Sequence, residues 1–464
     1  MLCREDLFKG QALRALVYGD CVFADADLRD AASEVAEGLR SIDAHSPFVH
    51  LFAENHPKTV VALRGILQAG FVCVLLDPAM APSEYCEIRR DSWPRAVLRF
   101  GGSEPSLRLA RPEICSVPDR SEAAFDVDPD ICLIAYTAAE DGRAKGAQLT
   151  AEGLRAVAES TNSDLGFGPD DVSCALLPFD HLFGILTGVL APMLGGTTTV
   201  IADPRGLGSL EQVADAVEKY RINMLYSVPA ALHFLARVPE GRAKLARLAT
   251  CVSGGAPLAS ELFELFRDRL GIELREGYGL TETSPSCTVN PRGGARALSV
   301  GPAQRHCELS VQDEQGGALP AGARGELCVR GKNVMRGYWN QPEATARTLR
   351  GGWLHTGDLA ELDRDGFVYL KGLAKRMFLV GGRNVYPAEV ERILRQNPNV
   401  RDAELYAEPD PLLGHRIIAR VVLAKNDRLA RTELRAWCQK RMSRFKIPTI
   451  FHAVAEPSGA ALVA

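Results

Sequence analysis

The chain has 464 residues, 46% hydrophobic and 24% charged, with a net charge of −4. That balance provides for a large core and two to four folding units. It argues against a nucleic-acid binder driven by bulk charge and leaves a small nucleotide ligand open. The twelve cysteines are scattered without a CxxC pair, a spacing that fits reduced thiols better than a disulfide framework or a zinc site. Met1-Leu-Cys-Arg-Glu-Asp6 lacks the apolar run of a secretory leader. The most apolar stretch, Val60 to Leu76, is interrupted by Arg64, Gln68 and Gly70, so no membrane span is expected. These features together predict a cytoplasmic protein.

In chain order, a strand is predicted at 49–53, a helix at 57–68 and a strand at 72–76, then further buried strands at 175–178, 198–201 and 224–228, spaced by helical patterns. Strands alternating with helices imply parallel sheets covered on both faces. From Gly325 the pattern changes to short strands between glycine turns, at 325–331 and 366–372. Beyond Gly372 follows a strand, a turn, a helix from Pro387, strands at 403–407 and 416–423, a helix from Thr432 and a last strand near Ile450. The expectation is an α/β protein with a large multi-sheet N-terminal domain, residues 1–373. A small mobile α+β C-terminal domain, residues 374–464, follows a short hinge at Lys375. The ligand cleft is expected between the two.

The most specific string is Gly277-Tyr-Gly-Leu-Thr-Glu-Thr283. Two glycines bracket an aromatic on a tight turn, where a flat ring can cover a purine. A nearby Thr and Glu can hold a phosphate and its magnesium. The string resembles the adenine-binding motif of the adenylate-forming superfamily, which includes acyl- and aryl-CoA synthetases, luciferases and adenylation domains. Further matches follow in the family's order: Asn55-His-Pro57, Leu67-x-x-Gly70 and Asp77-Pro78; Pro178-Phe-Asp-His181-Leu-Phe-Gly184; Ser253-Gly-Gly-Ala-Pro257; Gly337-Tyr-Trp-Asn340; Gly352-Trp-Leu-His-Thr-Gly-Asp358; and Gly381-Gly-Arg-Asn-Val-Tyr-Pro387 with Glu389 and Glu391.

The resemblance implies roles residue by residue. Tyr278 stacks on adenine, and Asp358 accepts both ribose hydroxyls, as a carboxylate can. Gly255, Ala256, Pro257, Gly277 and Gly279 line the nucleotide. Thr281 contacts the AMP phosphate, and Glu282 holds Mg2+. His181 flanks the acyl carbonyl and the thiol entry, Lys375 is the hinge, and Gly382 belongs to the loop lining the thiol tunnel. Phe183, Ser227, Val228, Ser253 and Gly254 form the acyl wall. The plain structural readings are a satisfied core histidine for His181, a turn cap for Asp358 and a simple β-turn for Gly381-Gly382. The order of the motifs favours function.

Three departures touch ATP chemistry. Relatives carry a phosphate loop reading roughly Tyr-Thr-Ser-Gly-Thr-Thr-Gly-x-Pro-Lys-Gly, whereas this chain reads Tyr136-Thr-Ala-Ala-Glu-Asp-Gly-Arg-Ala-Lys-Gly146. A phosphate cradle needs free N–H groups, small residues and hydroxyl donors. Glu140 and Asp141 bring the wrong sign, each costing about 1 kcal/mol beside a phosphate in water and about 4 at an effective dielectric near 20. At the hinge, the arginine of relatives is Leu373. Near the end, Ala460 stands where relatives have the lysine that serves adenylate formation.

The reading that follows is an acyl-CoA ligase favouring the second half-reaction. It would take a hydrophobic carboxylic acid as its adenylate, made from ATP by a separate adenylating enzyme. It would pass the acyl group to CoA or a carrier-protein thiol, in a setting such as bacterial natural-product biosynthesis. A complete ATP-dependent synthetase and an AMP-binding pseudoenzyme are the alternatives. The acyl wall reads as mostly apolar with no obvious charge.

Overall fold

The computed structural model describes residues 4–8, 12–100, 106–107, 109, 113–114, 125–137, 144–202, 210–373, 377–381, 383–410, 413–423 and 431–454. The chain divides into two compact units. One comprises Met1–Pro78, Ser92–Tyr136 and Gly146–Ala374; the other comprises Ala79–Asp91, Thr137–Lys145 and Lys375–Ala464. Among the described residues no helix is long and apolar enough to cross a membrane.

The first unit is built on three sheets. One has eight strands in the spatial order Thr288–Val289, Leu274–Tyr278, Thr250–Ser253, Met224–Ser227, Val172–Ala175, Thr198–Ile201, Ala15–Tyr18, Cys21–Phe23. Its inner six strands run parallel and its two edges are antiparallel. A six-stranded sheet holds Phe48–Phe52 and Val72–Leu76 at its centre. Both strands are buried throughout, as parallel strands covered on two faces must be. The third sheet is antiparallel and contains Arg324–Gly331, Trp353–Leu362 and Val368–Leu373. This is the α/β multi-sheet architecture the strand–helix alternation implies.

Local chemistry accounts for the boundaries. The helix Pro57–Gln68 starts at proline, whose missing N–H costs nothing in the first turn, and His56 Nδ1 accepts the Lys58 amide at 3.0 Å. Its Gly65 allows close approach to the helix Asp25–Arg40: a Cβ there would lie 2.7 Å from Ala32 O and from Val35 Cβ. The strand expected at 175–178 is displaced. It runs Val172–Ala175 and stops because Leu176–Pro178 turns away under the control of Asn55. The Asn55 Nδ2 donates to Leu177 O at 2.9 Å, and its Oδ1 accepts the Phe179 amide at 2.9 Å.

The second unit has its own antiparallel sheet of Arg383–Val385, Phe378–Val380, Gly414–Leu423 and Val400–Asp410, with Ile450–Val454 added in parallel. Val390, Leu394, Leu405, Ala419, Leu434 and Cys438 are among its core residues. The helix Pro82–Asp91 belongs to this unit, which periodicity alone does not reveal. Its Glu84 meets Lys446 Nζ at 2.8 Å, and the same ammonium meets Glu389 at 2.7 Å.

Candidate functional site

The glycine-rich turn after the strand Leu274–Tyr278 is held tightly. A Cβ on Gly279 would lie 1.9 Å from Pro285 O, and one on Gly277 would lie 3.0 Å from Thr288 O. Only glycine fits at 279 without moving backbone. Thr281–Thr283 then forms one 3-10 turn, with Thr283 Oγ1 accepting the Leu280 amide at 2.8 Å.

Two residues 80 apart in sequence meet here. The Tyr278 hydroxyl donates to Asp358 Oδ2 at 2.5 Å. Burial, and secondarily the Asp358 carboxylate, push the Tyr278 phenol well above its ordinary value. Asp358 is 9% exposed and sits within the strand Trp353–Leu362, at a register shift fixed from the neighbouring strand. Glu326 Oε1 accepts the Gly357 amide at 2.9 Å, and Thr356 Oγ1 donates to Leu327 O at 2.7 Å and accepts the Asp358 amide at 3.0 Å. Glu326, Cys328 and His355 bring ligand-type atoms within 4.8 Å of one another. Arg350 Nη2 already lies 3.3 Å from Glu326 Oε2, and His355 Nδ1 lies 2.8 Å from it, so this carboxylate anchors the irregular stretch of strand that carries Asp358.

Glu282 is the second acid of the site. Tyr338, from Gly337-Tyr-Trp-Asn340, donates to its Oε1 at 2.8 Å. That segment is tied to the strand after the phosphate loop: the Trp339 amide donates to Gly146 O at 2.8 Å and the Gln148 amide to Gly337 O at 2.9 Å. A single carboxylate next in sequence to Thr281 would suit Mg2+. That ion keeps several waters and takes only one or two protein carboxylates besides a substrate phosphate.

His181 caps the short helix Leu182–Ile185, its Nδ1 accepting the Phe183 amide at 3.2 Å. In a neutral ring this places the proton on Nε2. Its side chain is exposed, so the satisfied-core alternative does not describe it. Gly184 permits the tight entry, since a Cβ would lie 2.0 Å from Pro178 O. Phe183 presses its ring on Gly254, 2.9 Å from where a Cβ would be. Gly255 has φ +76° and, with Ala256 and Pro257, follows the strand Thr250–Ser253.

The acyl wall differs from expectation in two ways. Phe183 and Val228 pack with Tyr226 and Val252 on one face of the eight-stranded sheet. Ser227 and Ser253 pair in register with Glu276, so alternation carries all three to the opposite face. Both serines are fully buried there and do not join Phe183. The face expected to be uncharged instead includes Arg275, in register with Val252 and Tyr226. Sequence reasoning also missed Glu276. It accepts the Leu258 amide at 3.0 Å, and burial raises its carboxyl to about 7. The signal for both was available, since Arg275 and Glu276 directly precede the most specific motif.

Several expected residues lie outside the described ones: Ala138, Ala139, Glu140 and Asp141 of the phosphate loop, Lys375, Gly382 and Ala460. Gly381, at φ +59°, follows the strand Phe378–Val380. Leu373 ends a strand in which it stands opposite Asp358 in register.

A family model described as AMP-binding enzyme matches residues 9–339, and one described as AMP-binding enzyme C-terminal domain matches residues 389–458. The chain belongs to the adenylate-forming superfamily, in its acyl-CoA synthetase branch. It is 32% identical over 447 residues to a feruloyl-CoA synthase of an Amycolatopsis species, spanning 94% of this chain and 90% of that protein. An amide bond synthetase, McbA, from Marinactinospora thermotolerans shares its fold with a TM-score of 0.85 at 25% identity, covering 98% and 96% of the two chains. A malonyl-CoA ligase solved with methylmalonyl-CoA and AMP bound has a TM-score of 0.83 at 29% identity, covering 96% and 97%.

Proposed function

We propose that this member of the superfamily is an acid–thiol ligase that converts an acyl-adenylate and CoA into an acyl thioester and AMP, with adenylation from ATP weakened. The observation that carries the reading is a contrast within one chain. The residues expected to meet the AMP half pair with one another or with a neighbour, Tyr278 with Asp358 at 2.5 Å and Tyr338 with Glu282 at 2.8 Å. The positions that meet the outer phosphates of ATP are replaced by Ala138, Ala139, Glu140 and Asp141, and by Leu373 and Ala460. Relatives that are CoA ligases support the reaction class.

The chemistry needs little beyond positioning. The thiolate sulfur attacks the carbonyl carbon of the mixed anhydride, the C–O bond to phosphate breaks, and AMP leaves with the electron pair. The anhydride is already activated, so effective concentration and orientation supply most of the rate. Asp358 and Tyr278 hold the nucleoside, and His181, whose neutral ring carries its proton on Nε2, is suited to polarise the acyl oxygen. Mg2+ on Glu282, when bound, supplies charge neutralisation at the phosphate. The thiol's proton passes to solvent. Lys375 and Gly382 serve as hinge and tunnel loop by family resemblance.

Two measurements test this. Synthetic acyl-adenylates offered with CoA and no ATP should yield thioesters and AMP. ATP with the free acid should give slow pyrophosphate exchange. Robust exchange would establish a complete synthetase, and AMP binding without thioester from any adenylate would establish a pseudoenzyme.

A further inference from the structure

The strand pair Thr250–Ser253 and Leu274–Tyr278 carries glycine immediately after one strand and within the other, at 254 and 277. Phe183 presses on the sheet at the first of them: a Cβ at Gly254 would lie 2.9 Å from the Phe183 ring and 3.6 Å from Gly277 O, which sets the second glycine beside it. Two residues back along the strands, on the same face, stand Tyr226, Val252 and Arg275, in register across three parallel strands. Phe183 and Phe167 meet the Tyr226 ring edge-on, at 6.2 and 5.8 Å between centroids. The row therefore forms the layer next to the glycines on the face of the expected acyl wall.

That layer is polar in a way the core does not satisfy. Arg275 is 0% exposed and Tyr226 is 2% exposed. Arg275 Nη2 donates to Thr250 Oγ1 at 2.7 Å, but among the described residues its Nε and Nη1 have no hydrogen-bond partner, nor does the Tyr226 hydroxyl. The nearby Glu273 carboxylate acts on the guanidinium only at a distance and accepts the Gly293 amide at 3.0 Å. Arg292 adds a repelling charge. A buried cation without an anion is strongly unfavourable, and each unfilled donor adds to the cost. Such an arrangement is stable only if something else fills it, or if the fold tolerates it for a ligand.

We infer that Arg275 and Tyr226 form the far end of the acyl site and select an acid that carries a second carboxylate. The inference rests on the acyl-adenylate reading above and narrows its substrate class. The two backbone layers are about 6.6 Å apart at ~3.3 Å per residue, and the guanidinium reaches back from its layer to Thr250. A single ring or a chain of four to five carbons between the two carboxyls is therefore the shortest spacer that fits. The middle of the molecule meets Phe183, Val228 and Val252, so an apolar spacer with an anionic end is the matching class.

The test measures binding of hydrolysis-stable acyl-sulfamoyl adenosines in matched pairs, hexanoyl against adipoyl and benzoyl against terephthaloyl. The wild-type chain should bind the member with the second carboxylate about 10- to 100-fold more tightly, the scale of a hydrogen bond to a charged group. Arg275→Met should abolish that preference by weakening the diacid analogues far more than the monoacid ones, and should melt at the same temperature or higher, because it removes an unpaired buried charge. Tyr226→Phe should lose several-fold on the diacid analogues alone and provides the comparison if Arg275→Met does not fold. A wild-type preference for the monoacids, or a preference that survives both substitutions, would overturn the inference. These are affinities, so a diacid preference without thioester formation would sink the proposed reaction and leave this inference standing. Thioester formation without a diacid preference would do the reverse.

Discussion

Single side chains decide the candidate nucleotide site. Asp358→Ala should weaken binding of an acyl-adenylate analogue by about 1.5–3 kcal/mol, read by calorimetry, since it removes a charged acceptor. Unchanged affinity would place the ribose elsewhere. Glu276 makes a different kind of prediction. Its carboxyl is raised from about 4.5 to about 7, mainly by burial. The folded state therefore holds a proton between those values that the unfolded chain has released. Stability from this group is fully present below about 4.5 and is lost as pH rises through 7, a difference of about 3 kcal/mol. Gln can accept the Leu258 amide without a charge, so Glu276→Gln should raise the melting temperature at pH 8 and leave it nearly unchanged at pH 4.5. Equal effects at both values would show that the carboxyl is ionised throughout.

Whole elements respond to contacts they share. Lys446 lies between Glu84 of the helix Pro82–Asp91 and Glu389 of the helix Pro387–Arg395, all three largely buried. Removing the cation leaves two carboxylates facing each other. Lys446→Met should destabilise the second unit by about 3–5 kcal/mol. Hydrogen exchange would show this as lost protection across Val400–Asp410 and Gly414–Leu423 with the first unit unaffected; unchanged protection would refute it. The strand Val368–Leu373 offers a gain-of-function test. Leu373 stands opposite Asp358, the position where relatives carry an arginine. Leu373→Arg should raise pyrophosphate exchange about tenfold, the scale of one charge contact. No increase would mean that the other two departures dominate.

At the scale of the whole molecule, the proposed reaction depends on a path for the thiol. Replacing Gly382 with leucine should block thioester formation from a synthetic adenylate while adenylate affinity survives, because the bulky side chain would fill a tunnel that must pass a thin thiol arm. Equal loss of both would mean that the residue supports the fold and not the thiol path. The prediction rests on sequence resemblance, as Gly382 lies outside the described residues.

Much of the architecture was legible in the sequence because it depends on short-range periodicity. The strand–helix–strand run through Phe48–Phe52, Pro57–Gln68 and Val72–Leu76 falls within a residue of its expected bounds, since hydrophobic period and helix caps are local properties. Tyr278, Glu282 and Asp358 were legible as motif residues. Their pairing was not: Tyr278 meets Asp358 across 80 residues and Glu282 meets Tyr338 across 56. Strand parity decided the rest. Ser227 and Ser253 belong to segments expected to line the acyl group, yet their positions in the pleat set them on the face opposite Val252 and Tyr226, while Arg275 shares that face. A sequence by itself determines which residues alternate. Only the tertiary structure determines which face of a sheet covers the site, because that depends on how a strand registers against neighbours far away in the chain.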